Sequence, residues 1–351
     1  MERRDLRGMS PDELRRFAVK LGEKPFRGEQ VFEWIYKGKT DFREMDNLPK
    51  AFRAVLDNNS FIGRLEIIQV QKSSDGTRKY LFGLPDGNTV ESVFMRYSFG
   101  SSICVSSQAG CRMGCRFCAS SKTGLMRSLT AGEIMSQILE TQTDTCERVG
   151  HVVIMGTGEP FDNYESVAAF IRTANEKKGL NISMRNITVS TCGIVPGIDR
   201  FGDEFDQVNL AISLHSADDS VRSEMMPVNR RYNIAEVISA CRRYIAKTNR
   251  RVTFEYTLIC GVNDSDRDAS KLASLLSGML CHVNVITLNE TDGSGFETVS
   301  RERAAEFRSL LESKGIAATV RRKLGSDIDA ACGQLRANSV KTKFPLNPRG
   351  R

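Results

Sequence analysis

The sequence predicts an α/β protein in which an open, partial (β/α)6 barrel follows a small N-terminal helical domain and a β-hairpin linker. Three features of the 351-residue chain support this fold class. Apolar residues recur at helical spacing over residues 1–58, alternate at strand spacing over 59–100, and change between the two patterns over 101–337. Strands that alternate with helices favour a parallel sheet with right-handed crossovers. The six units are fewer than the eight that close a full barrel.

The helical domain, residues 1–58, is predicted to contain three helices. The stretch Ser10-Pro11-Asp12-Glu13 has the pattern of a capping box with proline at the first helical position. Apolar residues in 31–36 provide one face of a second helix, and a third helix is expected after Leu48-Pro49.

The linker, residues 59–100, is predicted to contain two or three short strands, LEIIQV, KYLFGL and TVESVFMRY. Asp75-Gly76 and Asp86-Gly87 lie between them. Dipeptides of this kind are typical of two-residue hairpin turns, so we expect antiparallel pairing in this region.

The barrel, residues 101–337, contains six predicted strands: SSICVSS, HVVIM, NITVS, QVNLAISLH, RVTFEYTL and HVNVITLN. Helical patterns follow them: EIMSQILETQ, YESVAAFIRTANEKK, NIAEVISACRRYIAK, RDASKLASLL and RERAAEFRSLLESK. A capping box at Thr130-Ala131-Gly132-Glu133 opens the first of these helices. Residues 338–351 form a basic C-terminal tail, which is either a solvated end or a segment that contacts RNA.

Two strands carry polar side chains at period two. In NLAISLH and VTFEYTL, the polar residues share one face and the apolar residues the other. A parallel strand covered on both sides is normally apolar throughout. The pattern therefore favours a lumen that binds a polar ligand, with a locally satisfied interior as the alternative.

The lack of a long apolar run and of a signal-peptide core predicts a protein of the cytoplasm. The net charge of +7 permits a polyanionic partner without requiring one. No apolar run approaches the roughly 18 residues of a membrane span, and the N-terminus has no signal-peptide core. In a reducing compartment the ten cysteines do not suggest a disulfide framework.

Three cysteines fall within GCRMGCRFCASSKTG, residues 110–124, at the spacing C-x3-C-x2-C. The motif follows the first barrel strand, where α/β barrels place their active sites. A zinc site, a disulfide with a free thiol, and an iron–sulfur cluster with one open iron are all compatible with three thiols. Zinc normally needs a fourth ligand and a second cysteine pair. The absence of a second pair favours the cluster.

The cysteine motif, with Phe117 before its last cysteine, resembles the signature of radical S-adenosylmethionine (SAM) enzymes. The resemblance implies a radical-SAM barrel with a [4Fe–4S] cluster on Cys111, Cys115 and Cys118, and SAM bound at the open iron. MGTGEPF, VSTCG, SLH and the end of NVITLN are similar to the SAM-contacting segments of that superfamily. The implied contacts are Gly158, Glu159, Ser190, Ser213, Leu214, His215 and Asn289.

Two longer motifs, ICVSSQAGC (103–111) and DIDAACGQLR (327–336), resemble those of the methyltransferases that act on C2 of adenine. The resemblance spans nearly the whole chain. It implies 23S rRNA at the peptidyl-transferase centre and tRNA, at the adenine 3′ of the anticodon, as substrates, with an RNA-binding role for residues 1–58. Close relatives that methylate C8 and give antibiotic resistance are the alternative. They tend to carry GEA and CATG, where this chain has GEP and CASS.

The resemblance assigns chemistry to three further residues. Cys332 would carry the methyl group as S-methylcysteine. Cys104 would resolve the protein–RNA adduct through a transient Cys104–Cys332 disulfide. Glu91 would be the proton acceptor, and two SAM molecules would be consumed per turnover. From the residues alone, Cys104 reads as a buried cysteine and Glu91 as an exposed strand residue.

RNA contacts are expected around the reactive centre. Basic residues flank the cysteine loop (Arg112, Arg116, Lys122, Arg127) and precede the Cys332 segment (Arg321, Arg322, Lys323). The resemblance also implies a flavodoxin-like or other electron donor, no membrane, and a monomer. A cluster- or zinc-containing RNA-binding protein without catalysis is the alternative from a different class.

Overall fold

A ten-stranded mixed sheet organises the protein. The computed structural model describes residues 3–288, 295–322, 324–325 and 327–328. Within these residues the sheet is open, because the two strands at its edges do not pair with each other. Seven parallel strands follow one another, and three antiparallel strands extend the sheet at one edge. The predicted fold class, a partial α/β barrel with an N-terminal helical domain, is confirmed.

The N-terminal helices are α1 (Pro11–Lys20), α2 (Phe26–Tyr36) and α3 (Lys50–Asn59). The short strands β1 (Arg4–Asp5) and β2 (Ser60–Phe61) pair in parallel and bring the two ends of this region together. The capping box predicted at Ser10 is present, because the Ser10 side chain accepts the Glu13 N–H and the Glu13 carboxylate accepts the Ser10 N–H. The helices bury their apolar faces in a core of their own that includes Leu14, Val31 and Phe32.

Three antiparallel strands follow: β3 (Glu66–Lys72), β4 (Arg78–Gly83) and β5 (Thr89–Tyr97). Both predicted hairpin turns are present. Gly76 and Gly87 have φ of +85° and +82°, a conformation that a residue with a Cβ adopts only at a cost. Strand β5 continues the pairing into the barrel and lies antiparallel to its first strand.

The remaining strands are β6 (Gly100–Cys104), β7 (Gln108–Gly110), β8 (Leu125–Ser128), β9 (His151–Ile154), β10 (Ile187–Thr191), β11 (Asn209–Ser213), β12 (Val252–Leu258), β13 (Cys281–Thr287) and β14 (Ala318–Val320). Strand β6 and strands β9 to β14 form the parallel part of the large sheet, whereas β7 and β8 form a separate hairpin. All six predicted barrel strands are confirmed. The seventh, β14, has only three residues, too few to show a period.

The described part of the barrel contains seven helices: α4 (Ala131–Thr145), α5 (Tyr164–Asn175), α6 (Val195–Glu204), α7 (Asp219–Met225), α8 (Ile234–Thr248), α9 (Asp266–Leu276) and α10 (Arg301–Ser313). Six of them bury residues in the core against the sheet, whereas α7 packs in a separate apolar cluster. Five were predicted. Helix α6 was missed because Gly197 and Gly202 interrupt its apolar pattern, and α7 because seven residues make only two turns. Within the described ranges, no helix is both long and apolar enough to cross a bilayer.

Strand residues that face the helices are apolar and buried, including Val189, Ile212 and Phe254. The opposite face is polar, as the period-two pattern predicted. The sheet register places Ser213, Glu255 and Asn284 side by side on this lumen face. The Asn284 amide donates to the Glu255 carboxylate at 2.8 Å, so part of the lumen is satisfied locally.

The helical domain meets the barrel through a backbone contact. A Cβ added to Gly8 would lie 2.3 Å from the Gly132 nitrogen, and one added to Gly132 would lie 2.2 Å from the Arg7 carbonyl oxygen. Beside this contact, the buried Arg7 guanidinium forms an ion pair of 2.9 Å with Glu140 of α4. Glycine is therefore required on both sides of the junction.

Candidate active site

The cysteine loop is a hairpin connection placed over the C-terminal ends of the barrel strands. Strand β7 pairs with β8, and the Cys111 N–H donates to the Gly124 carbonyl at 3.0 Å, which closes the loop at its base. Gly110 has φ of +85°, and an added Cβ would lie 1.9 Å from the same Gly124 oxygen. Only glycine permits this closure.

Within the loop, Cys115 and Cys118 are held in a tight turn. The Cys118 N–H donates to the Cys115 carbonyl at 3.1 Å, and the Ser121 hydroxyl lies 2.6 Å from the Cys115 carbonyl oxygen and 2.8 Å from that of Cys118. Cys111 is buried, and the other two cysteines are half-buried. Burial, with the Cys118 thiol adding to it, raises the pKa of Cys111 to about 12, and burial also raises the pKa of Cys115.

The donor set fits an iron–sulfur cluster. Three soft thiol donors from one loop lie within electrostatic range of one another. Each thiolate of a [4Fe–4S] cluster binds a different iron, so three cysteines on one loop can hold three irons and leave the fourth open. Cys111, Cys115 and Cys118 would hold the cluster.

Apolar side chains of the cysteine loop pack against the barrel. Met113, Cys115 and Phe117 pack against a cluster that contains Cys192, Met225, Met226, Ile259 and Leu288. The Arg116 N–H donates to the Met225 carbonyl at 2.9 Å and so fixes the loop on α7. The Phe117 ring meets the His215 ring edge-on, with 4.8 Å between centroids.

The GEP segment lies after β9, next to the cysteine hairpin. Gly158 has φ of +113°, and an added Cβ would lie 2.7 Å from side-chain atoms of Ser107 and Gln108. The buried Glu159 carboxylate accepts the N–H groups of Cys192 at 2.8 Å and Phe161 at 3.0 Å. The sequence predicted that Glu159 would accept hydrogen bonds, and one donor is the backbone N–H of Cys192, which follows β10. Burial raises the pKa of Glu159.

Of the other expected SAM contacts, Ser190 and Ser213 are half-buried on the lumen face, whereas Leu214 is fully buried among the core residues. His215 has φ of +56°, and its Nδ1 accepts the Thr257 N–H at 3.0 Å. Burial, together with the charge of Arg222, lowers the pKa of His215 to about 3, so the imidazole is neutral. Its Nε2 therefore carries the proton.

Asn263 fixes the position of His215. Its side-chain amide donates to the His215 carbonyl at 2.6 Å and to the Thr257 carbonyl at 2.8 Å. Its oxygen accepts the Ile259 N–H at 2.8 Å. The left-handed turn at His215 is thus held by a buried amide that the sequence did not single out.

Glu91 and Cys104 lie on one face of adjacent strands. Val93 of β5 is directly opposite Cys104 of β6, and Lys79 of β4 is directly opposite Val93. Directly opposed residues share a face, as do residues two apart in one strand, so Lys79, Glu91 and Cys104 project to the same side. Burial raises the pKa of Cys104, and the charges of Arg321 and Lys79 act in the opposite sense.

The expectation that Glu91 is an exposed strand residue is wrong. Glu91 is 4% exposed, and its carboxylate forms an ion pair of 2.9 Å with Lys79, which is fully buried. The sequence contains a signal for this pair, because each charged residue has an apolar neighbour two positions along its strand, Leu81 for Lys79 and Val93 for Glu91.

Two arginines that were expected to contact RNA form ion pairs within the protein. Arg112 pairs with Asp162 at 2.7 Å, and Arg127 pairs with Asp86 and with Glu133. Arg116 differs, because its guanidinium lies over the Phe296 ring at 5.7 Å from the centroid. Asn289, Lys323 and Cys332 lie outside the described residues.

Comparison with known proteins places this site in a family. Residues 105–273 match the family model described as Radical SAM superfamily, and residues 4–62 match the Ribosomal RNA large subunit methyltransferase N-terminal domain. A radical SAM methyltransferase from Sphaerobacter thermophilus, known from its crystal structure, is 45% identical, with a TM-score of 0.91 over 95% of this chain and 99% of that one.

Curated relatives agree over the full length. A probable dual-specificity RNA methyltransferase RlmN from Clostridioides difficile (strain 630) is 51% identical over 94% of this chain and 97% of its own. One from Clostridium perfringens (strain 13 / Type A) is 50% identical over 95% and 96%. The chain therefore belongs to the RlmN family of dual-specificity RNA methyltransferases within the radical SAM superfamily.

Proposed function

We propose that the protein methylates C2 of adenine in RNA, with 23S rRNA at the peptidyl-transferase centre and tRNA, next to the anticodon, as its substrates. The observation that carries this proposal is the shared face of Glu91 and Cys104. A buried acid and a thiol stand together there, and Cys104 is seven residues before the first cysteine of the loop. A proton acceptor and an attacking thiol are what methyl transfer to a ring carbon requires beyond the generation of a radical.

The target atom explains why these groups are needed. C2 of adenine lies between two ring nitrogens and is not a nucleophile, so a simple polar transfer of the SAM methyl group does not occur there. When bound, the [4Fe–4S] cluster and SAM supply one-electron chemistry at carbon, which removes the need for a nucleophilic target. The protein must still carry the methyl group, remove the C2 proton and release the product.

We assign these three tasks to three side chains. Cys332 carries the methyl carbon as S-methylcysteine, at the expense of one of two SAM molecules per turnover. Glu91 accepts the proton that leaves C2. The Cys104 thiolate attacks the Cys332 sulfur and forms a disulfide, which is left for reduction. The bond between that sulfur and the transferred carbon breaks, and the carbon keeps the electron pair and takes up a proton to complete the methyl group.

Local contacts support the roles of Glu91 and Cys104. The Lys79 ammonium holds the Glu91 carboxylate on the lumen side of β5 at 2.9 Å. Burial raises the pKa of Cys104, and the positive charges of Arg321 and Lys79 offset part of this rise in favour of the thiolate, the form that attacks a second sulfur. The adenine must leave its stack to reach this interior face.

The decisive experiment identifies the methylated carbon. The reconstituted protein is incubated anaerobically with SAM, a reductant and transcripts of either 23S rRNA or tRNA. The RNA is digested, and nucleosides are separated by mass spectrometry against 2-methyl- and 8-methyladenosine. We expect 2-methyladenosine from both transcripts. Formation of 8-methyladenosine would establish the alternative instead, and the Cys332→Ala variant should produce neither nucleoside.

A further inference from the structure

A guanidinium is buried beneath the cysteine loop. Arg222 of α7 is 0% exposed, and its nitrogens meet oxygen acceptors from three directions. Nε donates to the Leu214 carbonyl at 3.0 Å, Nη2 to the Cys192 carbonyl at 2.7 Å, and Nη1 to the Asn229 side-chain oxygen at 2.6 Å. Arg222 thereby joins the segments that follow β10 and β11.

Arg222 has no carboxylate partner within the described ranges, where its hydrogen-bond acceptors are carbonyl and amide oxygens. The closest link to an acid runs through Asn229, whose amide donates to Asp219 at 2.9 Å. Asp219 itself is exposed. A buried charge without a direct counter-ion costs stability, so a source of negative charge is expected nearby.

The cysteine loop, which packs against α7, would supply this negative charge once its thiolates hold the cluster. The loop is anchored on this helix by the Arg116 N–H, which donates to Met225, three residues beyond Arg222. Cys115 packs in one cluster with Met225 of α7 and with Cys192, whose carbonyl accepts from the guanidinium. Burial lowers the pKa of Arg222, and the sulfur atoms of Cys192 and Cys115 act in the opposite sense. The guanidinium therefore lies next to the part of the loop that would hold the cluster.

We propose that Arg222 is a positioning residue whose buried charge favours the reduced form of the iron–sulfur cluster. Three thiolates and a [4Fe–4S]2+ core together carry one negative charge, and one added electron makes two. A fixed positive charge stabilises the second state more than the first, especially in a medium of low dielectric constant. The inference rests on the cluster alone and does not depend on which adenine carbon is methylated.

The test is a redox titration of the reconstituted protein, followed by electron paramagnetic resonance, without SAM or RNA. Arg222→Met removes the charge, and we expect a midpoint potential more negative than that of the wild type. Arg222→Lys keeps the charge and should stay near the wild-type value. Arg7→Met is the matched control, because it removes a buried arginine whose counter-ion is Glu140, away from the loop. It should leave the potential unchanged.

A second variant covers the case in which Arg222→Met fails to bind iron. The double variant Asn229→Asp/Asp219→Asn would place a carboxylate where the amide oxygen now lies, 2.6 Å from the guanidinium, and an amide where Asp219 now accepts from Asn229. The charge of Arg222 is then neutralised in place without two carboxylates in contact, and the potential should also become more negative. The proposal is overturned if Arg222→Met binds full iron at the wild-type potential, if Arg222→Lys shifts as far as Arg222→Met, or if Arg222→Met lacks iron and the double variant titrates like the wild type.

Discussion

The buried pair of Lys79 and Glu91 gives the most direct test of the site. Lys79→Met keeps the length and apolar stem of the side chain and removes its charge. Glu91→Gln keeps the shape of the acid and removes its ability to accept a proton as a carboxylate. If the pair has both a structural and a chemical role, these two variants, and the double variant, will separate them.

The expected cost follows from burial and distance. Lys79 is 0% and Glu91 4% exposed, with 2.9 Å between the ammonium nitrogen and the carboxylate oxygen. At an effective dielectric constant of about 20, Coulomb's law gives roughly 6 kcal/mol of gross attraction. Desolvation offsets much of it, and removing one partner from a buried pair typically costs about 3–5 kcal/mol, because the other charge remains buried. We expect each single variant to lose stability in this range.

Urea unfolding measures the loss, and Lys39→Met is the matched control. Lys39 pairs with Glu44 at 2.8 Å, but both side chains are more than a third exposed. Surface pairs contribute about 0–1 kcal/mol, so this variant should unfold close to the wild type. The double variant Lys79→Met/Glu91→Gln should regain part of the lost stability, since no charge is then left unpaired, yet it should transfer no methyl group.

Two results would refute this reasoning. If Lys79→Met costs no more stability than Lys39→Met, the pair is not buried in solution. If Glu91→Gln, or the double variant, methylates RNA at the wild-type rate, Glu91 is not the proton acceptor.

Three further predictions concern the cysteine residues, the loop and the RNA. Cys104→Ala should accumulate a covalent protein–RNA adduct on a denaturing gel, and normal turnover without adduct would contradict its resolving role. Gly110→Ala should lower the iron content after reconstitution, because its Cβ would lie 1.9 Å from a carbonyl oxygen, whereas Gly87→Ala, with nothing within 4 Å of its Cβ, should bind iron normally. Arg116→Ala should weaken RNA binding and reduce the salt dependence by about one unit of slope, and an equal effect of Arg112→Ala, whose guanidinium is paired with Asp162, would argue against this difference.

Local patterns predicted most of the fold. The capping box at Ser10, the Asp-Gly turns and the six barrel strands depend on neighbours within a few residues, and all are present. The elements that were missed are short or, like α6, have an apolar pattern interrupted by glycine. Strand β14 and helix α7 have three and seven residues, and packing rather than periodicity defines them.

The site was predicted less completely, because its supports depend on distant contacts. The cysteine motif is visible in fifteen residues, but nothing in the helical pattern distinguishes Arg222 from a surface arginine. Its acceptors are the Asn229 side chain and the carbonyl oxygens of Cys192, Ser213 and Leu214, and a carbonyl oxygen carries no sequence signal. Glu91 shows a related limit: its position within an apolar strand is visible in the sequence, but its partner Lys79 is twelve residues away on another strand, and the sheet register decides that they meet.

The glycine contact between Gly8 and Gly132 has a consequence for protein engineering. Because the two backbones touch with no side chain between them, the helical domain cannot be grafted from another protein by matching helices alone. A working chimera must bring both glycines and the Arg7–Glu140 pair with it. If the first sixty residues determine a substrate preference, that preference can be transferred to another protein only together with the part of α4 that contains Gly132 and Glu140.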